Sequence, residues 1–186
     1  AVYRAVFRQT IRWADYIFTQ GKENIPLINS CGNTPVYYHP NYIEVEHMAY
    51  VQSKVLHNTI HLVYFGRLFA EKRIDLIVET TYSLKEWGYP VTLDLIGEFE
   101  SKVFEQEIRE LIEELSLEEL VVIRPKCVQD ELWGILQKMH FFLFPSETPK
   151  EGQSNALTEA MAWGVVPVAA NVGFTKSLVG RNELVL

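Results

Sequence analysis

Short apolar runs alternate with helical segments from residue 60 onward, and this alternation restricts the fold more than any other feature of the sequence. The apolar runs lie at 60–65, 91–96, 120–123, 141–144 and 165–169, and segments of helical period lie between them at 72–87, 101–115, 130–139 and 154–163. Strands that alternate with helices pair in parallel, and the helices cover both faces of the sheet. The sequence therefore predicts an α/β fold, a doubly wound parallel sheet of the Rossmann-like type.

The first 59 residues follow a different pattern. Apolar and basic residues separate onto opposite sides of a predicted helix that ends near Trp13, and Arg4, Arg8 and Arg12 share its basic face. That face is either a solvated surface or a surface for anionic lipid headgroups. Short strands are predicted at 16–19 and 35–38, with a helical turn or two between them at 22–29, and the polar residues that follow are predicted to be a linker.

The composition excludes several classes of protein. With 24 acidic residues against 17 Lys and Arg among 186 residues, the net charge is -7, which gives no overall attraction to nucleic-acid phosphates. No apolar stretch approaches the roughly 18 residues that a membrane span requires. The two cysteines, Cys31 and Cys127, form neither a disulfide framework nor a metal-ligand spacing, and they suit a reducing cytoplasm. The first residues contain neither an initiator Met nor a signal peptide, so we expect a piece cut from a longer chain.

Several common motifs of cofactor binding and nucleophilic catalysis are absent. The sequence has no Gly-x-Gly-x-x-Gly, no Gly-Lys-Ser/Thr and no Gly-x-Ser-x-Gly, which leaves dinucleotide binding, P-loop chemistry and serine hydrolysis unsupported. His57 and His61 are four residues apart but have no third ligand nearby, so local roles are favoured over a metal site. There is no Asp-x-Asp, and the four Asp residues are widely separated. We therefore predict no metal ion and no cofactor.

The loops at the carboxyl ends of the predicted strands are where ligands bind in a doubly wound sheet. The loop after residue 65 begins with Gly66 and contains Arg67 and Lys72. A Gly lets the backbone approach a ligand closely, and two cations beside the predicted start of a helix are unfavourable unless an anion is bound there. These residues predict a phosphate site, and the alternative is that both cations are solvated surface charges.

A second signal follows the run at 141–144. Glu151 and Glu159 are separated by seven residues, a spacing that also occurs in three other Glu pairs at or within acidic helical segments. Only in this pair does the first Glu lie in a loop after a buried strand and the second in a helix whose N-terminus, near Ser154, points at the same crevice. Carboxylates in these positions can accept hydrogen bonds from sugar and ribose hydroxyls.

Together these motifs resemble the retaining glycosyltransferases of family four, whose GT-B architecture has two facing Rossmann-like domains. The resemblance rests on Gly66, Arg67 and Lys72, on the Glu151-x7-Glu159 pair, and on the run Glu-Ala-Met-Ala-Trp-Gly-Val-Val-Pro-Val at 159–168. It implies the C-terminal half of a GT-B fold. Residues 1–41 would then be the tail of the N-terminal acceptor domain and the crossing segment, 42–59 a linker, and 60–186 a donor-binding domain that is truncated at its C-terminus.

The resemblance also implies a role for each matching residue. Arg67 and Lys72 would hold the donor diphosphate and Glu151 would contact the transferred sugar, and these three residues are the predicted catalytic set. Glu159 would bind the ribose, and the backbone at 126–128 would meet the base. The implied donor-binding residues are Gly66, Lys126, Cys127, Val128, Gly152, Gln153, Ser154, Asn155, Ala156 and Glu159.

Three positions depart from the family's pattern. Tyr42 stands where the family often has Gly, Gln153 and Ser154 replace a frequent Phe-Gly, and residues 174–177 replace a frequent Gly-x-Pro-Glu. The third departure leaves the role of the loop after the last strand open.

The resemblance thus implies a metal-independent transfer of sugar from a nucleoside-diphosphate sugar, in surface polysaccharide or glycolipid synthesis. The acceptor, a glycan or a lipid-linked glycan, would bind through the missing N-terminal domain, so the isolated chain is expected to be inactive. The expected location is the cytoplasm, with peripheral contact at the inner face of the membrane as an option. Two alternatives remain: a sugar-nucleotide epimerase on the same architecture, and a non-catalytic nucleotide-binding module, which residues 174–177 favour.

Overall fold

The computed structural model of the chain describes residues 2–43, 54, 58–148 and 151–186. Helices α1 to α7 span Val2–Trp13, Ile25–Asn29, Ile74–Glu86, Lys102–Glu114, Gln129–Leu136, Asn155–Ala162 and Thr175–Val179. Strands β1 to β7 span Ile17–Thr19, Val36–Tyr38, Ile60–Phe65, Val91–Ile96, Val121–Arg124, Phe141–Phe144 and Val166–Ala169. Short 3₁₀ helices lie at Lys22–Asn24, Ala70–Lys72 and Asn182–Leu184.

Strands β3 to β7 form one parallel sheet in the order β5-β4-β3-β6-β7. The chain adds β4 and β5 on one side of β3 and then crosses back to add β6 and β7 on the other side. β3 and β4 pair over all six of their residues, from Ile60 opposite Val91 to Phe65 opposite Ile96. The predicted α/β fold with a doubly wound parallel sheet is confirmed.

The core of this sheet domain consists of the apolar runs that predicted its strands. Val63, Leu93 and Phe142 on the three central strands are fully buried, as are Ile74 and Ile77 on α3. Each buried aliphatic or aromatic side chain of this kind contributes about 1.5–3 kcal/mol to folding. Strands covered on both faces need apolar residues at successive positions, which explains why continuous runs predicted them better than alternation would.

The predicted helix at 72–87 starts later than its sequence pattern indicates. Residues Ala70–Lys72 form a 3₁₀ turn, and Arg73 then adopts a left-handed conformation (φ 55°, ψ 52°) that separates this turn from α3. The expectation that Lys72 lies at the N-terminus of an α-helix is therefore wrong. Helix α7 is a second difference, because the sequence analysis predicted no element after the last strand.

Residues 2–43 form a smaller unit of α1, β1, α2 and β2. β1 and β2 pair in parallel, from Ile17 opposite Val36 to Thr19 opposite Tyr38. The predicted N-terminal helix and both short strands are confirmed. The basic face of α1 is exposed, which is compatible with either interpretation given to it. Within the part of the chain that the structure describes, no helix is long and apolar enough to cross a membrane.

Lys54 connects the segment predicted as a linker to the sheet domain. Its ammonium donates to the carbonyl oxygens of Leu136 and Met139, the latter at 2.8 Å, just where α5 ends. A cation is favourable at a helix C-terminus, and partial burial lowers the pKa of Lys54 to about 8. The rest of that segment at 44–53 and 55–57 lies outside the described residues. His57, which the sequence analysis considered with His61 as a metal site, is among them.

Candidate functional site

The order of the strands reverses between β3 and β6, which makes the carboxyl ends of these two strands the switch point of the sheet. Such a switch point is where ligands bind in open α/β sheets, because the two adjoining loops run in opposite directions away from each other. The loops here are those that start at Gly66 and at Pro145. The sequence analysis placed both of its main motifs in these two loops.

Two glycines bring the loops after β3 and β4 into close contact. Gly97 has a φ of +151°, and a Cβ atom on it would lie 1.8 Å from the carbonyl oxygen of Gly66. Gly66 has a φ of +133°, which also favours glycine. The side chain of Tyr64 holds the same loop from beneath, since its hydroxyl donates to the carbonyl oxygen of Arg67 at 3.0 Å. Burial, with a contribution from the Glu151 charge, raises the pKa of Tyr64, so it remains a hydrogen-bond donor.

Lys72 and Glu151 form an ion pair that joins the two loops. The Lys72 side chain is 7% exposed and that of Glu151 is 13% exposed. The hydroxyl of Ser146, which is fully buried, donates to Glu151 at 3.2 Å and lies 3.5 Å from the Lys72 ammonium. The Phe144 ring closes one side, with its centroid 5.9 Å from the same ammonium. The structure thus brings together two of the three predicted catalytic residues.

Arg67, the third, lies on the other side of the loop and is exposed. Its guanidinium stacks over the ring of Phe69 at 4.8 Å from the ring centroid. It lines a cavity of about 430 Å³ at the carboxyl ends of β3, β4 and β5, together with Gly66, Lys126 and Cys127. Burial raises the pKa of the Cys127 thiol, which makes a reactive thiolate unfavourable there. Val128, the residue directly before α5, is exposed.

Helix α6 carries the second Glu of the motif. Ser154 caps the helix, because its hydroxyl accepts a hydrogen bond from the amide of Leu157 at 3.3 Å. Glu159 lies half-buried on the second turn, and burial raises the pKa of its carboxyl. Gly152 precedes the cap, while the Ala156 side chain packs against the core.

Two of the implied donor-binding side chains contact the crossing segment. The amide oxygen of Gln153 accepts from the main-chain N–H of Asn41 at 2.7 Å, and its NH₂ donates to the carbonyl oxygen of Asn41 at 3.0 Å. Asn155 accepts at 2.6 Å from the side chain of Asn41. The side chains of Gln153 and Asn155 therefore tie residues 2–43 to the sheet domain.

A second, larger cleft of about 870 Å³ lies between the two units. The ends of β1 and β2 form one wall, and Asn155 at the start of α6 and Phe174 just before α7 form the other. The Phe174 ring packs against the backbone of Gly21, where a Cβ atom would lie 2.2 Å from the ring. Gly173 has a φ of +54° and packs so closely that a Cβ there would lie 2.0 Å from the Glu151 carbonyl oxygen. Because Phe174 follows Gly173, the cleft lies beside the loop that contains Glu151.

Sequence reasoning missed Ser146, Tyr64 and Asn41 as parts of the site. Ser146 lies two residues after a buried strand, so its position in a ligand loop was available from the sequence, but its burial between two charges was not. Tyr64 belongs to an apolar strand and gave no signal. Asn41 is 112 residues from Gln153, and nothing in the sequence indicates that they meet.

Comparison with known proteins places this arrangement in a family. The family model described as glycosyl transferases group 1 matches residues 51–185, which is most of the chain. The chain belongs to this family. It is thus a transferase domain of the GT-B class, and the part of the predicted resemblance that concerns GT-B glycosyltransferases is confirmed.

One curated relative of this group 1 glycosyltransferase chain is WcaL of Escherichia coli (strain K12), whose name assigns it to colanic acid biosynthesis as a glycosyltransferase. The two are 29% identical over 114 residues, which are 59% of this chain and 27% of WcaL. The chain therefore spans about a quarter of this relative's length.

Solved structures of glycosyltransferases share the fold of the group 1 chain. Anabaena Alr3699/HepE in complex with UDP superposes with a TM-score of 0.74 at 17% identity, over 94% of this chain and 50% of HepE. A mutant of S. aureus TarM in complex with fondaparinux, alpha-GlcNAc-glycerol and UDP superposes with a TM-score of 0.72 at 18% identity, over 95% of this chain and 34% of TarM. At these identities the similarity shows the fold alone.

Proposed function

We propose that the chain is the donor-binding part of a retaining, family-four hexosyltransferase that takes its sugar from a nucleoside-diphosphate sugar. The observation that carries this proposal is the buried Lys72–Glu151 pair beside Ser146, at the switch point of a group 1 glycosyltransferase domain. A buried ion pair adds little to stability, because desolvation of the two charges offsets their attraction. Its presence at the switch point, where ligands bind in such sheets, therefore favours a role in binding and chemistry.

In the proposed mechanism, Lys72 exchanges partners when the donor binds. Its ammonium turns from Glu151 to a diphosphate oxygen, and the released Glu151 carboxylate accepts from hydroxyls of the transferred sugar. Arg67, which is exposed and lines the cavity beside Lys126 and Cys127, meets the other side of the diphosphate. Fixed cations in this position stabilise the charge that develops on the leaving diphosphate, without a metal ion.

The transfer itself then needs no protein nucleophile. The bond between the anomeric carbon and the phosphate oxygen breaks while the acceptor oxygen bonds to the same face of the sugar. The acceptor proton passes to the leaving phosphate. Glu159 holds the ribose from α6, and the cavity beside Lys126 and Cys127 receives the base. UDP is the first nucleotide to test, because HepE and the TarM mutant were both solved with it.

The pathway and location are part of the same proposal. The name of WcaL supports an acceptor in surface polysaccharide synthesis, either a glycan or a lipid-linked glycan. We place the protein in the cytoplasm, with α1 as the point of peripheral contact at the inner face of the membrane. Membership of a transferase family disfavours an epimerase. A non-catalytic module would bind the donor equally well but would transfer no sugar in the full-length protein.

Calorimetric titration of the chain with UDP and with UDP-sugars tests the donor site. The Arg67→Ala variant should lose about 1.5–3 kcal/mol of binding free energy for UDP, the usual contribution of a charged hydrogen bond. The matched control is Arg109→Ala on α4, an exposed arginine in a surface ion pair, which should bind like wild type. A chelator should leave UDP binding unchanged. Equal affinity of Arg67→Ala and wild type, or loss of binding with chelator, would contradict the proposed site.

A further inference from the structure

A cavity of about 590 Å³ lies at the end of the sheet opposite to the proposed donor site. It is at the amino ends of β3 and β6, whereas the loops that start at Gly66 and Pro145 are at their carboxyl ends. Its described lining residues are Lys54, Asn58, Thr59, His61, Gln137, Lys138 and His140. None of them lines the cavity beside Arg67 or the cleft between the two units. This cavity is therefore separate from the surfaces that the proposed function uses.

The side chains of this lining share one chemical property. Each of the described ones can donate a hydrogen bond, through an ammonium, amide, hydroxyl or imidazole group. Two of them are lysines, and no described lining residue is Asp or Glu, although the chain as a whole has a net charge of -7. Donors and cations without a carboxylate among them favour an anion whose oxygens accept several hydrogen bonds.

The ammonium of Lys54 is fixed at the end of α5. It donates to the carbonyl oxygens of Leu136 and Met139, and within the described part of the chain these bonds use two of its three N–H donors. Because the side chain is already ordered, a ligand would not have to order it on binding. Partial burial, which lowers the pKa of Lys54 to about 8, also excludes water, and a charge in such surroundings attracts an anion more strongly than an exposed one.

The two histidines of the cavity are also fixed. Their rings stack with centroids 5.1 Å apart and planes inclined by 21°. The main-chain N–H of His61 donates to Nδ1 of His140 at 2.9 Å, so the hydrogen of the neutral His140 ring lies on Nε2. Nδ1 of His61 lies 2.7 Å from the hydroxyl oxygen of Thr92. These bonds orient both rings and make Nε2 of His140 a donor.

We propose that this cavity binds a phosphate group, held by the ammonium groups of Lys54 and Lys138 and by the imidazole of His140. Phosphate oxygens accept several hydrogen bonds at once, and lysine is a common partner of phosphate. The proposal goes beyond the proposed function, because the site lies at the other end of the sheet and needs no nucleotide. A soluble phosphate ester and a lipid headgroup present the same group, so both are possible sources of the ligand.

NMR of the 15N-labelled 186-residue chain, titrated with inorganic phosphate, tests this proposal. We expect the amide signals of His61, Lys138 and His140 to shift and to saturate. Sodium chloride at equal ionic strength should shift them less. Lys54→Met and Lys138→Met should each weaken phosphate binding by about fivefold or more, because each removes a charged donor and keeps an unbranched side chain.

Lys85→Met is the matched control. Lys85 also donates to a main-chain carbonyl oxygen, that of Ser116 at 2.9 Å, but it does not line the cavity, so phosphate should bind this variant as it binds wild type. Lys138 is exposed, and its variant keeps the test valid if Lys54→Met weakens the fold at the end of α5.

Three results would overturn the proposal: no saturating shifts with phosphate, equal shifts with chloride, or shifts that survive both cavity variants. Arg67→Ala should leave phosphate binding in this cavity unchanged, and loss of the shifts in that variant would also contradict a separate site. UDP binding reports the proposed donor site by itself, so failure of the one proposal is distinguishable from failure of the other.

Sedimentation with phosphatidylcholine vesicles, with and without phosphatidic acid, identifies the source of the phosphate group. Cosedimentation that requires phosphatidic acid and that both lysine variants abolish would identify a lipid headgroup. Phosphate binding in solution without such cosedimentation would identify a soluble phosphate ester. Both results support the site, because each rests on the same two lysines.

Discussion

At the scale of single residues, the Lys72–Glu151 pair leads to a prediction about the affinity for UDP and for UDP-sugars. Because Glu151 holds Lys72, Glu151→Gln should release the ammonium for phosphate while removing the carboxylate that we propose contacts the sugar. We therefore expect Glu151→Gln to bind UDP as well as wild type or more tightly, and to lose the additional affinity that wild type has for a UDP-sugar over UDP. Calorimetry with both ligands measures this split. Equal weakening of both ligands would show that Glu151 does not serve the sugar.

Glu159 gives a prediction about pH. Burial raises the pKa of its carboxyl above the ordinary value of 4.5, so the folded protein holds this proton more tightly than the unfolded chain does. A raised pKa contributes stability that is present below the unfolded value and is lost as pH rises through the folded value. Glu159→Gln removes this dependence, because an amide does not ionise.

Thermal unfolding of the Glu159→Gln variant between about pH 4 and pH 7 checks the direction of this pH dependence. The variant and wild type should have similar melting temperatures at the acidic end of this range. As the pH rises, the melting temperature of the variant should increase relative to that of wild type. The same variant should bind UDP more weakly, because the ribose loses a charged acceptor. A melting-temperature difference that is constant over this range would contradict the assigned cause.

At the scale of elements, the contact between the loops after β3 and β4 depends on a missing side chain. Gly97→Ala would place a Cβ atom against the Gly66 carbonyl oxygen at a φ that alanine rarely adopts. We expect a loss of about 2 kcal/mol or more in the free energy of unfolding, together with weaker UDP binding. Gly134→Ala on α5, where nothing lies within 4 Å, should instead stabilise by about 0.5–1 kcal/mol through helix propensity. Urea denaturation of both variants measures the contrast, and similar effects would refute the steric argument.

Elements were more predictable from the sequence than contacts. The strands at 60–65, 91–96 and 141–144 have the predicted bounds, because buried parallel strands require unbroken apolar runs. Helix α7 has only five residues and shows no periodicity that could predict it. The start of α3 was misplaced because the left-handed turn at Arg73 carries no Gly or Asn to signal it.

In the candidate site, too, the elements were predictable from the sequence and the side-chain contacts were not. Both loops that contain its motifs could be predicted, since ligand loops follow strand ends. Their side-chain partners could not, because Lys72 and Glu151 are 79 residues apart and meet only after β6 joins β3. The three departures from the family's pattern, at Tyr42, Gln153 and Phe174, looked unrelated in the sequence. In the structure Tyr42 and Phe174 line one cleft, and Gln153 holds the segment that leads to Tyr42.

At the scale of the molecule, Gln153 links the two units. Its side chain makes both main-chain bonds of Asn41, at 2.7 and 3.0 Å, so Gln153→Ala should loosen the crossing segment without disturbing the sheet. Hydrogen exchange should become faster at the Asn41 amide and remain unchanged in β3 and β4. The control is Gln106→Ala, whose exposed side chain donates to Glu110 on the same helix, α4. Unchanged exchange at Asn41 would show that the segment is held by other contacts.

The central position of β3 has a consequence for the order in which the molecule is assembled during synthesis. β3 can pair with β4 as soon as both have left the ribosome, but its other edge stays open until residues 141–144 arrive. An open strand edge is a template for pairing with a second chain, and translation prolongs its exposure. The proposed donor site therefore lies where β6 joins β3, a contact that the nascent protein forms late. A codon or chaperone that delays this closure would affect the yield of native protein before it affected catalysis.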